Sequence, residues 1–92
     1  MKTSEILFRA REIQLERGRA YGLSEDSKGR VCMLRAIDLA ADYHGYGAAR
    51  DYLQECIGEI SIARFSDGVC KTKYDMAAAL EIAACCASAE GK

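Results

Sequence analysis

Proline is absent from the 92 residues, and β-branched residues are few, with seven Ile, two Val and two Thr. Proline is the strongest helix breaker and β-branched side chains are among the best strand formers, so little here interrupts a helix and little favours a sheet. A continuous run of about 18 apolar residues, the length that spans a bilayer, is also missing. Met1-Lys2-Thr3-Ser4-Glu5 leads into a segment carrying Arg9, Arg11 and Glu12, where a secretory signal would keep an uncharged core. The expectation is a soluble, cytoplasmic protein without a membrane segment.

Charge of one sign is lacking as well. Thirteen Lys and Arg stand against fourteen Asp and Glu, a net of -1, and neither half of the chain departs far from balance. Nucleic-acid affinity comes largely from phosphate neutralisation, so this balance makes nucleic acid an unlikely partner. The five Cys are an odd number, and no two stand at the short Cys-x-x-Cys spacing of zinc and redox motifs. That argues against a disulfide framework and against a metal; no cofactor is implied. Ninety-two residues suit one domain, 1–92, since domains run to roughly 50 to 250 residues.

What is present is small-bodied. The apolar half contains fifteen Ala and five Cys, while Ile, Leu, Val, Met and Phe together number twenty-one. Glycines divide the chain into four helical segments, so the predicted fold class is all-α, a compact bundle of about four helices. The first segment runs over about Ser4 to Arg17 with Thr3 or Ser4 as N-cap, presenting Ile6, Ala10 and Ile13 on one face and Phe8 with Leu15 on nearly the opposite one. Residues 18–29 form a polar connection. The second segment, about Arg30 to Tyr43, presents Cys32, Ala36, Leu39, Ala40 and Tyr43. The third aligns Ala49, Leu53, Cys56, Ile57 and Ile60, with Gly58 a point of fraying.

Ser61 to Lys71 reads as a loop with Phe65 tucked beneath it. Thr72-Lys73-Tyr74-Asp75 matches a capping box and starts the last helix. Its core stripe is Met76, Leu80, Ala83, Ala84 and Ala87; Ala79, Ile82 and Cys86 form a second stripe, and Glu81 is the only charge between Met76 and Ala89. Apolar residues on more than one face suggest a helix that is central or shared with another chain.

Cys32, Cys56 and Cys86 fall on apolar stripes and read as packing, since free Cys behaves as a small hydrophobe; Cys70 and Cys85 are the more exposed pair. His44 is the only histidine and has no identifiable nucleophile or oxyanion element beside it, so no catalytic residue is assigned and the protein is not expected to be an enzyme. Glu25-Asp26 reads as a solvated pair. The basic residues of the first half, Arg9, Arg11, Arg17, Arg19 and Arg30 with Lys28 and Arg35, offer an alternative nucleic-acid surface for a transcriptional regulator, although Glu5, Glu12, Glu16, Glu25 and Asp26 interleave with them. The third helix makes a poor DNA reader, having only Arg50 among Asp51, Glu55 and Glu59.

The segments Gly29-Arg30-Val31-Cys32-Met33-Leu34-Arg35-Ala36, Ile62-Ala63-Arg64-Phe65-Ser66-Asp67 and Thr72-Lys73-Tyr74-Asp75-Met76 resemble, in order and spacing, an uncharacterised family of small helical actinobacterial and phage-encoded proteins, a domain of unknown function. Phe65-Ser66 replaces the Trp-Asn that the family pattern favours, and Arg35 a small Gly. The resemblance implies the helical fold over nearly the whole chain, and a phage setting in which a small protein binds and modulates a host protein. The expected function is a non-enzymatic protein-binding module, acting as a homo-oligomer or with a host protein. Phe8, Leu15, Ala79, Ile82 and Cys86 are the candidate partner-binding residues, because one small core leaves their stripes uncovered.

Overall fold

The computed structural model describes all 92 residues and is all-α. Its elements are α1 (Thr3–Arg17), α2 (Met33–Ala41), α3 (Tyr46–Ile57), the single turn α4 (Ile62–Arg64), which widens into a π-helical turn over Phe65–Val69, and α5 (Lys73–Ala89). The segment expected to be a loop after α3 is therefore helical. Ser61 caps it, its Oγ accepting from the Arg64 amide at 3.3 Å.

α1 and α5 make the most extensive contact of the fold and run antiparallel. The Ser4 amide donates to the Lys92 carbonyl at 3.3 Å, and at the other end Lys73 Nζ donates to the Leu15 carbonyl at 2.8 Å. Small residues explain the close approach: Ala10 from α1 and Ala83, Ala84 and Ala87 from α5 are completely buried. Ile6, Leu7, Met33, Ile37, Leu53, Met76 and Leu80 supply the bulk around them. The buried face of α1 is turned from the predicted one. Leu7 and Gln14 join Ile6 and Ala10 inside, and Ile13 is only half-buried.

The N-cap of α1 is Lys2, one or two residues before the expected Thr3 or Ser4, with the Glu5 carboxylate accepting from the Lys2 amide at 3.1 Å. α2 is shorter than its apolar pattern. Val31 is taken by the preceding connection, donating to the Gly18 carbonyl and accepting from the Ala20 amide, both at 3.1 Å. Cys32 then caps α2 through its sulfur, which accepts from the Arg35 amide at 3.4 Å. At the other end Asp42 and Tyr43 have positive φ, which lifts Tyr43 off the face predicted for it and leaves it 96% exposed. Gly58, expected to fray α3, is its C-cap. Thr72 caps α5 as the sequence predicts, its Oγ accepting from the Asp75 amide at 3.3 Å and the Asp75 carboxylate accepting from the Thr72 amide at 3.2 Å.

The 18–29 connection is ordered by its surroundings. Arg17 Nε donates to the Gly29 carbonyl at 2.8 Å, and the Asp26 carboxylate gathers the amides of Lys28 and Arg30 and the Arg30 guanidinium. Arg19 reaches across to the Asp67 carbonyl at 2.9 Å and so ties the connection to the π-helical turn.

Candidate functional site

Residues of α3 and α5 and the half-buried Phe65 of the π-helical turn border one depression. The result is an apolar groove of about 200 Å³ lined by Leu53, Cys56, Ile57, Phe65, Ala79 and Ile82, every one of them hydrophobic. Leu53 is fully buried and forms part of the core, whereas Ile82 on the α5 wall is 63% exposed. An isoleucine that open to water, lying along a concavity with an apolar lining, leaves a surface that association would cover.

Polar contacts join α3 to the residues that follow α5. Tyr52, one turn before Cys56 on α3, donates its hydroxyl to the Glu90 carboxylate at 2.7 Å, and Lys92 stands 5.2 Å over the Tyr52 ring. The hydrogen bond to Glu90, with desolvation second, holds the Tyr52 hydroxyl protonated well above its ordinary range. Cys56 is also shifted upward. Its partly desolvated setting comes first, followed by the neighbouring Cys86, Glu55 and Glu90. That environment disfavours the Cys56 thiolate, the nucleophilic form of the side chain.

The predicted partner-binding residues divide between two places. Ala79 and Ile82 line the groove, and Cys86, exposed one turn beyond Ile82, continues their stripe. Phe8 and Leu15 do not contribute to it. Both are half-buried on α1, and Arg11 between them forms an ion pair with Glu81, on the opposite flank of α5 from Ile82. Phe8 packs against the core with the Arg11 guanidinium 5.9 Å from its ring centroid.

Sequence reasoning missed the opposite wall, Leu53, Cys56 and Ile57, and the floor, Phe65. The third segment offered no separate signal, because positions 53, 56, 57 and 60 share one arc of about 100° that reads as an ordinary core face.

The thiols exchange places relative to expectation. Cys70 is buried among core residues at 1% exposure, while Cys56 and Cys86 are exposed together with Cys85. The cause is the helical turn over 62–69, which carries Cys70 inward beneath it. No group of three or more His, Cys, Asp or Glu side chains is arranged to hold a metal ion.

Most of the alternative basic surface is engaged locally. Arg11 pairs with Glu81, Arg17 with Glu25 at 3.1 Å and Arg30 with Asp26 at 2.6 Å; Arg19 donates to backbone carbonyls and stacks on Tyr21. Arg9 alone of the five has no such partner and is exposed. The largest hollow, about 630 Å³, is lined by Ser24, Glu25, Leu34, Arg35, Asp38 and Tyr46, and Arg35 bonds both of its carboxylates, Glu25 and Asp38.

No known protein family, characterised protein or solved structure matches this chain. The functional reading therefore rests on the geometry. No helix is long and apolar enough to cross a membrane.

Proposed function

We propose that the protein is a non-enzymatic protein-binding module whose α3/α5 groove receives an apolar side chain projecting from a helix of a partner protein. The observation that carries this reading is the groove's uniform lining, six hydrophobic residues with Ile82 standing 63% exposed at its wall. Size supports it too. Pockets for small ligands run to roughly 300–1,000 Å³ and include convergent polar groups, whereas this groove measures about 200 Å³ and its lining contains none beyond a protonated thiol. A groove of this kind suits the helix-in-groove mode, in which anchors along one helical face enter apolar depressions. The resemblance to small phage-encoded proteins supplies a setting, in which the partner is a host protein.

The nucleic-acid alternative draws little from the arginines, because those already paired with carboxylates would have to exchange partners to reach phosphate. The deciding experiment uses purified components. A host protein captured by the wild-type chain is identified by mass spectrometry, produced separately and titrated against wild type, Ile82→Glu and Leu15→Glu. Binding that is lost in Ile82→Glu and kept in Leu15→Glu supports the groove; equal binding by all three removes it.

A further inference from the structure

Cys56 and Cys86 are exposed thiols on two helices that touch. Contacts on either side of them fix how those helices align. On one side the Tyr52 hydroxyl donates to the Glu90 carboxylate at 2.7 Å, and Lys92 stands 5.2 Å over the Tyr52 ring. On the other side Cys56 and Ile57 border the same depression as Ala79 and Ile82. Moving forward along α3 from Tyr52 is therefore moving backward along α5 from Glu90, so α3 and α5 run antiparallel.

Side chains one helical turn apart lie on the same face, one above the other. Cys56 follows Tyr52 by one turn within α3, and Cys86 precedes Glu90 by one turn, the Glu90 amide donating to the Cys86 carbonyl at 3.2 Å. In an antiparallel register, the step from the bonded Tyr52–Glu90 pair leads to Cys56 and Cys86 together. Electrostatics agree with that placement. Burial first, and the Cys86 sulfur second, push the Cys56 thiol up, and both sulfurs act on the Tyr52 hydroxyl behind its hydrogen bond to Glu90 and its desolvation.

The other thiols are poor competitors. Cys70 lies in the core at 1% exposure. Cys85 adjoins Cys86 in a continuous helix, where successive side chains point about 100° apart and neighbouring Cα atoms sit about 3.8 Å apart, closer than the roughly 4.4 Å that a disulfide needs.

We infer that Cys56 and Cys86 form a reversible disulfide across α3 and α5, with a low-molecular-weight disulfide such as glutathione disulfide as the oxidant. The Cys86 thiolate attacks one sulfur of glutathione disulfide, whose S–S bond breaks; one glutathione thiolate leaves, and Cys86 carries a mixed disulfide. The Cys56 thiolate then attacks the Cys86 sulfur and expels the second glutathione. Two protein thiols are oxidised, one glutathione disulfide is reduced to two thiols, and the two protons lost by the protein pass to the departing thiolates. Cys56 acts second because its thiolate is the disfavoured one, and attack within a single molecule offsets that handicap. The bond pins α3 to α5 beside Ile82, and the inference is independent of any docking at the groove.

The test equilibrates the reduced full chain with glutathione disulfide and about 0.1 mM glutathione, quenches it in acid and maps its peptides without reduction. An effective concentration of millimolar order for Cys56 at the Cys86 sulfur makes the internal disulfide outnumber the mixed disulfide on Cys86 about tenfold. The expected map joins the peptide containing Cys56 to the one containing Cys85 and Cys86, and excess dithiothreitol separates them. Cys85→Ser should keep the link, Cys86→Ser should lose it, and Cys56→Ser should stop at the mixed disulfide.

A wild-type monomer that holds glutathione on Cys86 without closing overturns the inference. So does a disulfide-linked dimer as the main product, or a link that Cys85→Ser abolishes and Cys86→Ser spares. The wild-type map decides by itself if circular dichroism shows that a serine variant has failed to fold.

Discussion

The side-chain amide of Gln14 donates to the Val31 carbonyl at 2.7 Å and to the Gly18 carbonyl at 3.1 Å, joining the last turn of α1 to both ends of the 18–29 connection from inside the core. Gln14 is fully buried, and its Oε1 has no partner. The same residue thus supplies a clasp and carries a desolvation cost.

Two substitutions separate these roles. Gln14→Glu would place a carboxylate against two carbonyl oxygens, and a cost of about 3 kcal/mol or more in urea unfolding at neutral pH is expected. Gln14→Met retains the volume and removes the orphaned oxygen together with the two bonds, so its cost should stay near about 1–2 kcal/mol. If Met proved as damaging as Glu, loss of the two bonds would account for most of the destabilisation in both variants.

Gly45 is constrained twice. Its φ is +83°, and a Cβ there would stand 2.6 Å from Ile6 Cδ1 in the core. Gly45→Ala is expected to destabilise the fold by about 1–3 kcal/mol, through backbone strain and displacement of Ile6. Gly47→Ala is the control: nothing lies within 4 Å of its added Cβ, and it should cost little in the same thermal melts.

Acid should loosen the 18–29 connection. Burial acts to raise the Asp26 carboxyl, but hydrogen bonds from the Arg30 side chain and from the Arg30 and Lys28 amides outweigh it, and the group sits below the ordinary carboxylate range. A depressed folded pKa contributes stability above the unfolded value, and that contribution disappears as pH falls through the folded value. The stability difference between wild type and Asp26→Asn should therefore be constant near neutrality and shrink below about pH 4. A difference unchanged by acid would mean that the carboxylate's charge plays no part.

Thiol labelling reads the burial order directly. Iodoacetamide applied to the native protein should modify Cys85 and Cys86 and leave Cys70 untouched until denaturant is added, because Cys70 lies in the core and its thiol is raised first by burial. Peptide mass mapping over time checks this. Labelling of Cys70 at the rate of Cys85 would show that the 62–69 turn opens readily.

Local chemistry and periodicity were enough to make several features legible. The lack of proline and the scarcity of β-branched residues point to helices, the Thr72/Asp75 capping box marks the start of α5, and Gly18 ends α1, because each effect acts within a few residues of chain. The 3.6-residue pattern likewise identified Ala79-Ile82-Cys86 as a stripe without a neighbour in its own helix.

Which stripe met which neighbour was decided only by tertiary structure. Phe8 and Leu15 lie beside the Arg11–Glu81 pair, away from the groove, and Leu53, Cys56, Ile57 and Phe65 converge on Ile82 from segments up to 29 residues distant. Arg30 to Cys32 leave the helix predicted for them because Val31 finds backbone partners at Gly18 and Ala20. Cys70 is buried where helical turns form over a segment whose sequence pattern reads as a loop. Helix propensity and apolar spacing are properties of a segment, whereas a groove depends on how far two helices diverge, which is set by the volumes packed between them.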